Sequence, residues 1–217
     1  MHKIKLLIIL SLFLTLKVSA QTTLMDPAEI YIGTSHGATA SMILFQPQVK
    51  QDILLGYNGG IMFRYVNEKH KGLQIELNFS QRGWKEKNVD YARQLNYLEL
   101  PFLAHFYFGD KTRFIINLGP KISYLIGEKV LMDGTENLTE QEQKNNPQHS
   151  EKVQKPFDYG ITAGIGVEFK IKKQALNLEA RANYSFSTIF SNTLSDYYSF
   201  SDNMNVALNL GWMIRLK

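Results

Sequence analysis

Cysteine is absent from all 217 residues. That excludes a disulfide scaffold, a thiolate metal site and a cysteine nucleophile. Charge is sparse: Asp, Glu, Lys and Arg make up 20% of the chain, below the roughly 25% of an average globular protein. Helical periodicity is missing. So, after residue 20, is any unbroken apolar run of about 18 residues, the length that marks a transmembrane helix. The one apolar run, Leu6 to Leu16, is too short to span a bilayer. It follows Lys3 and Lys5 and precedes Val18 and Ala20, small residues at positions −3 and −1 of a cut before Gln21. This is the pattern of a secretory signal peptide over residues 1–20, which leaves 21–217 as one mature domain. An N-terminal membrane anchor is the competing reading. No Cys follows the cut, which excludes a lipoprotein.

One charge argument also disappears. The sequence pI of about 9.1 suggests a basic protein. Three of the 24 basic residues, Lys3, Lys5 and Lys17, lie in the signal and no acid does, so 21 basic residues face 20 acidic ones in the remainder. No basic patch or stripe stands out, and no nucleic-acid partner is expected.

What the chain does have is alternation. In "LNLEARANYSF", Leu176, Leu178, Ala180, Ala182, Tyr184 and Phe186 share one face, and Asn177, Glu179, Arg181, Asn183 and Ser185 share the other. That is a strand with one apolar side. The same period recurs in "LLGYNGGIMFRY", "GLQIELNFSQRGW", "NYLELPFLAHFYFG", "RFIINLGPKISYLI", "DYGITAGIGVEF" and "NMNVALNLGWMIRL". A first candidate over Glu29 to Ala40 has an ambiguous phase. The sum is eight strands, the usable ones of about 10 to 14 residues, where soluble strands average about 5 to 6 and tilted membrane strands need about 9 to 11.

Connections alternate in length. "NEKHK", "GDKT" and "KKQ" are short. The intervening ones, about Ser41 to Ile53, Lys85 to Ala92, Gly127 to Pro156 and Phe190 to Ser201, are longer. Short periplasmic turns and long outer loops are the habit of outer-membrane barrels. The longest loop is rich in Glu, Gln, Asn and Lys, and is expected to be mobile and solvated.

The expected fold is therefore all-β, an eight-stranded antiparallel up-and-down transmembrane β-barrel in the outer membrane, with its apolar faces toward lipid. Aromatics near strand ends, such as Tyr65, Phe108, Tyr159, Phe169 and Trp212, suit interfacial girdles. Ten charges then point inward: Arg64, Glu76, Arg82, Glu99, Lys121, Asp158, Glu168, Glu179, Arg181 and Arg215. Five are basic and five acidic. They predict a self-neutralising lumen network, with a proton or ion path as the alternative. Gly160, Gly164 and Gly166 on the same face leave room for long side chains opposite.

Catalytic and cofactor signals are weak. His36, His70, His105 and His149 do not pair at metal-ligand spacing. His70 and His149 are expected on solvated surface, and His105 inside the lumen as a structural group. No G-x-S-x-G pattern occurs, and "GYNGG" lacks the helix a phosphate loop needs. No catalytic residue, metal or cofactor is expected.

Several of these segments together resemble a known family. "GLQIELNFSQRGW", "LNYLELPFLAHFYFG", "NLGPKISYLIG", "DYGITAGIGVEF" and "LNLEARANYSFSTI" are similar, in order and spacing, to the PorT-like outer-membrane β-barrel proteins of Bacteroidetes, over roughly residues 30 to 217. "NYLELP" is the most specific element. The resemblance implies a barrel of this size and an Ala-Gln signal cleavage site. The family's namesake takes part in protein secretion, so the resemblance raises envelope or secretion-complex proteins as partners beside outer-membrane lipid. Two departures stand out: the first strand lacks a clear pattern, and the chain ends in Leu216-Lys217 rather than an aromatic, which moves the expected assembly signal to Trp212–Leu216. The functional readings are a structural or interaction barrel with a plugged lumen, an accessory secretion component, a narrow channel, or an outer-membrane lipid-modifying enzyme.

Overall fold

The computed structural model describes residues 28–144, 146–193 and 197–216. The segment expected to be a signal peptide, residues 1–20, and Lys217 lie outside them. Eight long strands follow one another: β1 (Glu29–Gln46), β3 (Leu54–Glu68), β4 (Lys71–Glu86), β5 (Ala92–Phe108), β6 (Thr112–Met132), β7 (Phe157–Ile171), β8 (Gln174–Thr188) and β9 (Phe200–Arg215). The two-residue β2 (Gln51–Asp52) only extends the outer end of β4, through Gln51↔Glu86 and Asp52↔Lys85.

Every long strand pairs antiparallel with its chain neighbour, and β1 pairs with β9 along Tyr31↔Arg215 to Gln46↔Phe200. The sheet is a closed eight-stranded barrel with no free edge, the form that lipid demands of a β-structure. No helix among the described residues is long and apolar enough to cross a membrane. The three short turns lie at one end, and the loops after β1, β4, β6 and β8 lie at the other. By the length rule the turn end is periplasmic. Two turns reverse through a left-handed residue, His70 (φ 72°) and Lys172 (φ 55°).

Facing follows the alternation. Leu176, Leu178 and Phe186 are exposed, while Asn177, Glu179 and Arg181 are buried. The phase of β1, ambiguous in the sequence, places Tyr31, Ser35, Thr39, Ser41, Ile43 and Phe45 inside. Its outward side carries His36, hydrogen-bonded to the Tyr57 hydroxyl at 2.7 Å.

Two expectations are corrected. The strands run 15 to 21 residues, longer than a bilayer needs. Their outer ends stand beyond the apolar band, and there the pattern inverts. On β4 and β5 the outward positions become Gln81, Gln94 and Asn96, and the inward ones become Trp84, Leu95 and Tyr97. Water now bathes the outer wall, so apolar side chains turn in, as in a soluble barrel. The longest loop is also not wholly solvated. Its first part extends β6 to Met132, and Gln148 is fully buried.

Candidate functional site

Nine of the ten inward charges anticipated from the sequence are buried; the tenth, Arg215, has 31% of its side chain exposed at the periplasmic rim. The buried set divides into three tiers along the barrel.

At the periplasmic side, Glu168 on β7 is held by two arginines, Arg64 on β3 and Arg113 on β6, the latter at 3.3 Å. Arg113 lies 4.1 Å from the Tyr107 ring centre. Phase had the information to find Arg113, because it shares a face with Asn117 and Lys121. Two cations against one anion leave this tier positive.

The middle tier has the opposite balance. Arg181 donates to Glu76 through Nη1 at 2.7 Å and Nη2 at 2.9 Å, and to Glu179 through Nε at 3.1 Å and Nη2 at 2.9 Å. The carboxylate of Glu76 also accepts from Asn78 at 2.7 Å and Gln74 at 2.5 Å. Gln74 in turn accepts from Arg64 Nε at 2.7 Å. It therefore couples the middle tier to the first. Gly164 makes the space: a Cβ there would stand 1.9 Å from Glu179 Oε1.

Arg82 organises the outer tier. It pairs with Glu99 and with Asp158 at 3.0 Å, and donates to Ser123 at 3.0 Å. Lys121 approaches Glu99 at 3.5 Å. Ser185 and Ser187 donate to Asp158 at 2.9 and 2.5 Å. This tier is neutral, so the three cancel overall. Charges buried this deeply persist only when each is paired and hydrogen-bonded.

Above the charges sits an apolar cap that the sequence reading missed. Ile43, Phe45, Trp84, Tyr91, Leu95, Tyr97, Ile189, Phe190 and Tyr198 form one buried cluster. Phe45 meets Trp84 edge-on at 5.5 Å and Tyr198 at 4.9 Å. Over it, Gln148 from the long loop donates to Glu86 at 3.1 Å and accepts from the Tyr198 hydroxyl. Its carbonyl accepts from Arg93 at 3.1 Å. His149, expected on solvated surface, instead contacts Glu86 at 2.9 Å and packs on Tyr91 at 4.4 Å. Both loop residues are recruited because the apolar cap and the buried Glu86 need partners. Burial also pushes the Tyr91 phenol above its ordinary range.

The remaining histidines stand apart. His105 is buried in the lumen, with Nδ1 2.7 Å from Asn117 Oδ1. In the β3–β4 turn, His70 contacts the Tyr107 carbonyl at 2.9 Å. Among the described residues no group of three His, Cys, Asp or Glu side chains is arranged to hold a metal ion.

The chain is similar in structure to Neisserial surface protein A, with 13% identity, a TM-score of 0.47, and coverage of 88% of this chain and 100% of that one. It is also similar to Ail, the attachment invasion locus protein of Yersinia pestis, with 15% identity, a TM-score of 0.44, and coverage of 86% and 99%. For the N-terminal barrel domain of Pseudomonas aeruginosa OprF the values are 9%, 0.37, 84% and 97%. No curated protein sequence matches. Residues 19–191 match the family model described as outer membrane protein beta-barrel domain, and the chain belongs to that family of outer-membrane proteins.

Proposed function

We propose that the protein is a structural and interaction barrel of the cell envelope with a sealed lumen. The observation that carries this reading is the unbroken chain of contacts from Arg113 through Glu168, Arg64, Gln74, Glu76 and Arg181 to Glu179, spanning facing walls of the barrel. An eight-stranded barrel is just wide enough for side chains to fill, and these side chains fill it. The aromatic cap and Gln148 stop the outer mouth. Each carboxylate of the three tiers is committed to an arginine, which leaves none of them as a free general base. This supports a non-catalytic role over a lipid-modifying one. The outer loops and periplasmic turns are then the contact surfaces. Single-channel recording in planar bilayers tests the reading: brief, rare events are expected, and a large, steady conductance would overturn it.

A second reading, an accessory part of a secretion complex, draws on the "NYLELP" and "LGPKISYL" segments and their PorT-like character. Under it residues 1–20 are the export signal. A pull-down from native outer membrane should recover a partner; recovery of none counts against it.

A further inference from the structure

The cations at the turn end take no part in the lumen network. Lys111 in the β5–β6 turn and Lys172 and Lys173 in the β7–β8 turn are exposed. Among the described residues they form no ion pair. Backbone hydrogen bonds join their neighbourhoods: the Lys170 N–H donates to the Lys111 carbonyl at 2.8 Å, and the Arg215 N–H to the Lys173 carbonyl at 2.6 Å. Five cations thus follow one another around half of the periplasmic rim: Lys111, Lys172 and Lys173 in the exposed turns, and Lys170 and Arg215 on the inward phase of β7 and β9. Glu29 engages two of them, Lys170 at 2.8 Å and Arg215 at 2.5 Å. Asp110 is the other acid beside the arc. The outer loops have no such excess; there Lys is mixed with a surplus of Asp and Glu.

A cluster of lysines on a soluble protein is a solvated face. This cluster is placed differently. On the lipid-facing wall directly above it stand Phe108, Phe114, Phe169 and Trp212, between 45% and 52% exposed. Lys111 is three residues from both Phe108 and Phe114, roughly 10 Å along a strand. Lys170, the neighbour of Phe169 on β7, points the other way, toward the mouth of the barrel. The indole N–H of Trp212 donates to Gln174 Oε1 at 3.1 Å, the posture of an interfacial tryptophan. Aromatic girdles mark the head-group level, so the ammonium groups below them fall at the depth of lipid phosphates.

We propose that this arc is a docking surface for the head groups of anionic phospholipids in the periplasmic leaflet. A phosphodiester of net negative charge, attached to acyl chains, matches cations set under aromatic rings; a zwitterionic head group brings no net charge to the same place. The proposal does not depend on whether the lumen is sealed.

The chain's two tryptophans supply the test. Trp84 is buried in the outer cap, and Trp212 faces lipid beside the arc. The full barrel is reconstituted in phosphatidylcholine vesicles that contain brominated phosphatidylglycerol or, in parallel, brominated phosphatidylcholine at the same mole fraction. The brominated anionic lipid should quench Trp212 more strongly, with a relative binding constant roughly threefold higher. The preference should fade in high salt, because exposed charges are screened. It should fall to parity in the triple variant Lys111→Gln, Lys172→Gln, Lys173→Gln, and persist in Lys69→Gln, Lys71→Gln, which alters the far side of the rim. Heat-modifiable gel mobility verifies folding, and salt on the unaltered protein serves if the triple variant fails to fold. Equal quenching by both lipids in the unaltered protein overturns the proposal. So does a preference that survives the triple variant, or one lost equally in the far-side variant.

Discussion

Arg181 on β8 reaches Glu76 on β4 and binds both of its carboxylate oxygens, although the two residues are 105 positions apart in the chain. Neither strand touches the other in the sheet, so this pair braces the barrel across its interior. Removing one partner of such a pair leaves a buried charge alone. Arg181→Ala strands Glu76 and Glu179 together and should destabilise the barrel by about 3–5 kcal/mol. Urea unfolding from lipid vesicles, followed by gel mobility, checks this. Arg181→Met combined with Glu76→Leu and Glu179→Leu should recover much of the loss, since well-packed apolar groups often replace a buried ion network without penalty.

The lipid-facing side makes an opposite demand. Leu178 is half exposed on the lipid-facing side of β8, between Val167 and Leu210 in register, one outward position in from the level of Phe169 and Trp212. Leu178→Arg should cost roughly 1–3 kcal/mol, between the small penalty for a charge near the interface and the full one at the midplane. The same substitution on a soluble barrel would be harmless if Leu178 faced water. A folded, membrane-inserted Leu178→Arg protein of unchanged stability would mean that the facing is wrong.

These two residues show what was legible beforehand. Period-two alternation puts Leu178 and Arg181 on opposite faces, and strand length with the alternation of short and long connections decides that the apolar face meets lipid. Pairing across the lumen was not legible: Arg181 finds Glu76 only once the barrel closes and its diameter is set. The outer cap was hidden for another reason. Trp84, Leu95 and Tyr97 lie on the face that is polar lower down, and the polarity inverts where the wall leaves the membrane. Gln81, Gln94 and Asn96 on the outward face carry that signal in the sequence, but only an assumed membrane boundary makes it readable. Gln148 gave no signal at all; in a polar loop, nothing local distinguishes the one glutamine that enters the cap.

Gly83 positions the approach to that cap. Its φ of 145° is one that side chains rarely adopt, and an added Cβ would stand 2.0 Å from the Arg93 carbonyl oxygen. Gly83→Ala must therefore move β4 away from β5 just below Trp84, at a cost of roughly 1–3 kcal/mol. The temperature at which the protein shifts to its unfolded gel mobility should fall. Gly127→Ala is the control: the nearest atom to its added Cβ is 3.9 Å away, so the transition should stay within experimental error.

Gln148 offers a test of how the loop is held. Its side chain bridges Glu86 and Tyr198, and its carbonyl takes Arg93. Gln148→Ala removes the side-chain contacts with Glu86, Tyr198 and Asn146, and leaves the Glu86 carboxylate with Trp84 and His149. A buried donor or acceptor left without its partner costs about 1–3 kcal/mol, and the loop can escape that penalty by leaving the mouth. Lys152, exposed in the same loop, then becomes a better trypsin site. Cleavage there should accelerate several-fold in Gln148→Ala while the strands stay resistant. The conservative Gln148→Glu would keep the bond from Tyr198 but set a carboxylate against Glu86, and should release the loop as well. Unchanged cleavage rates in both variants would mean that the apolar cap holds the loop without Gln148.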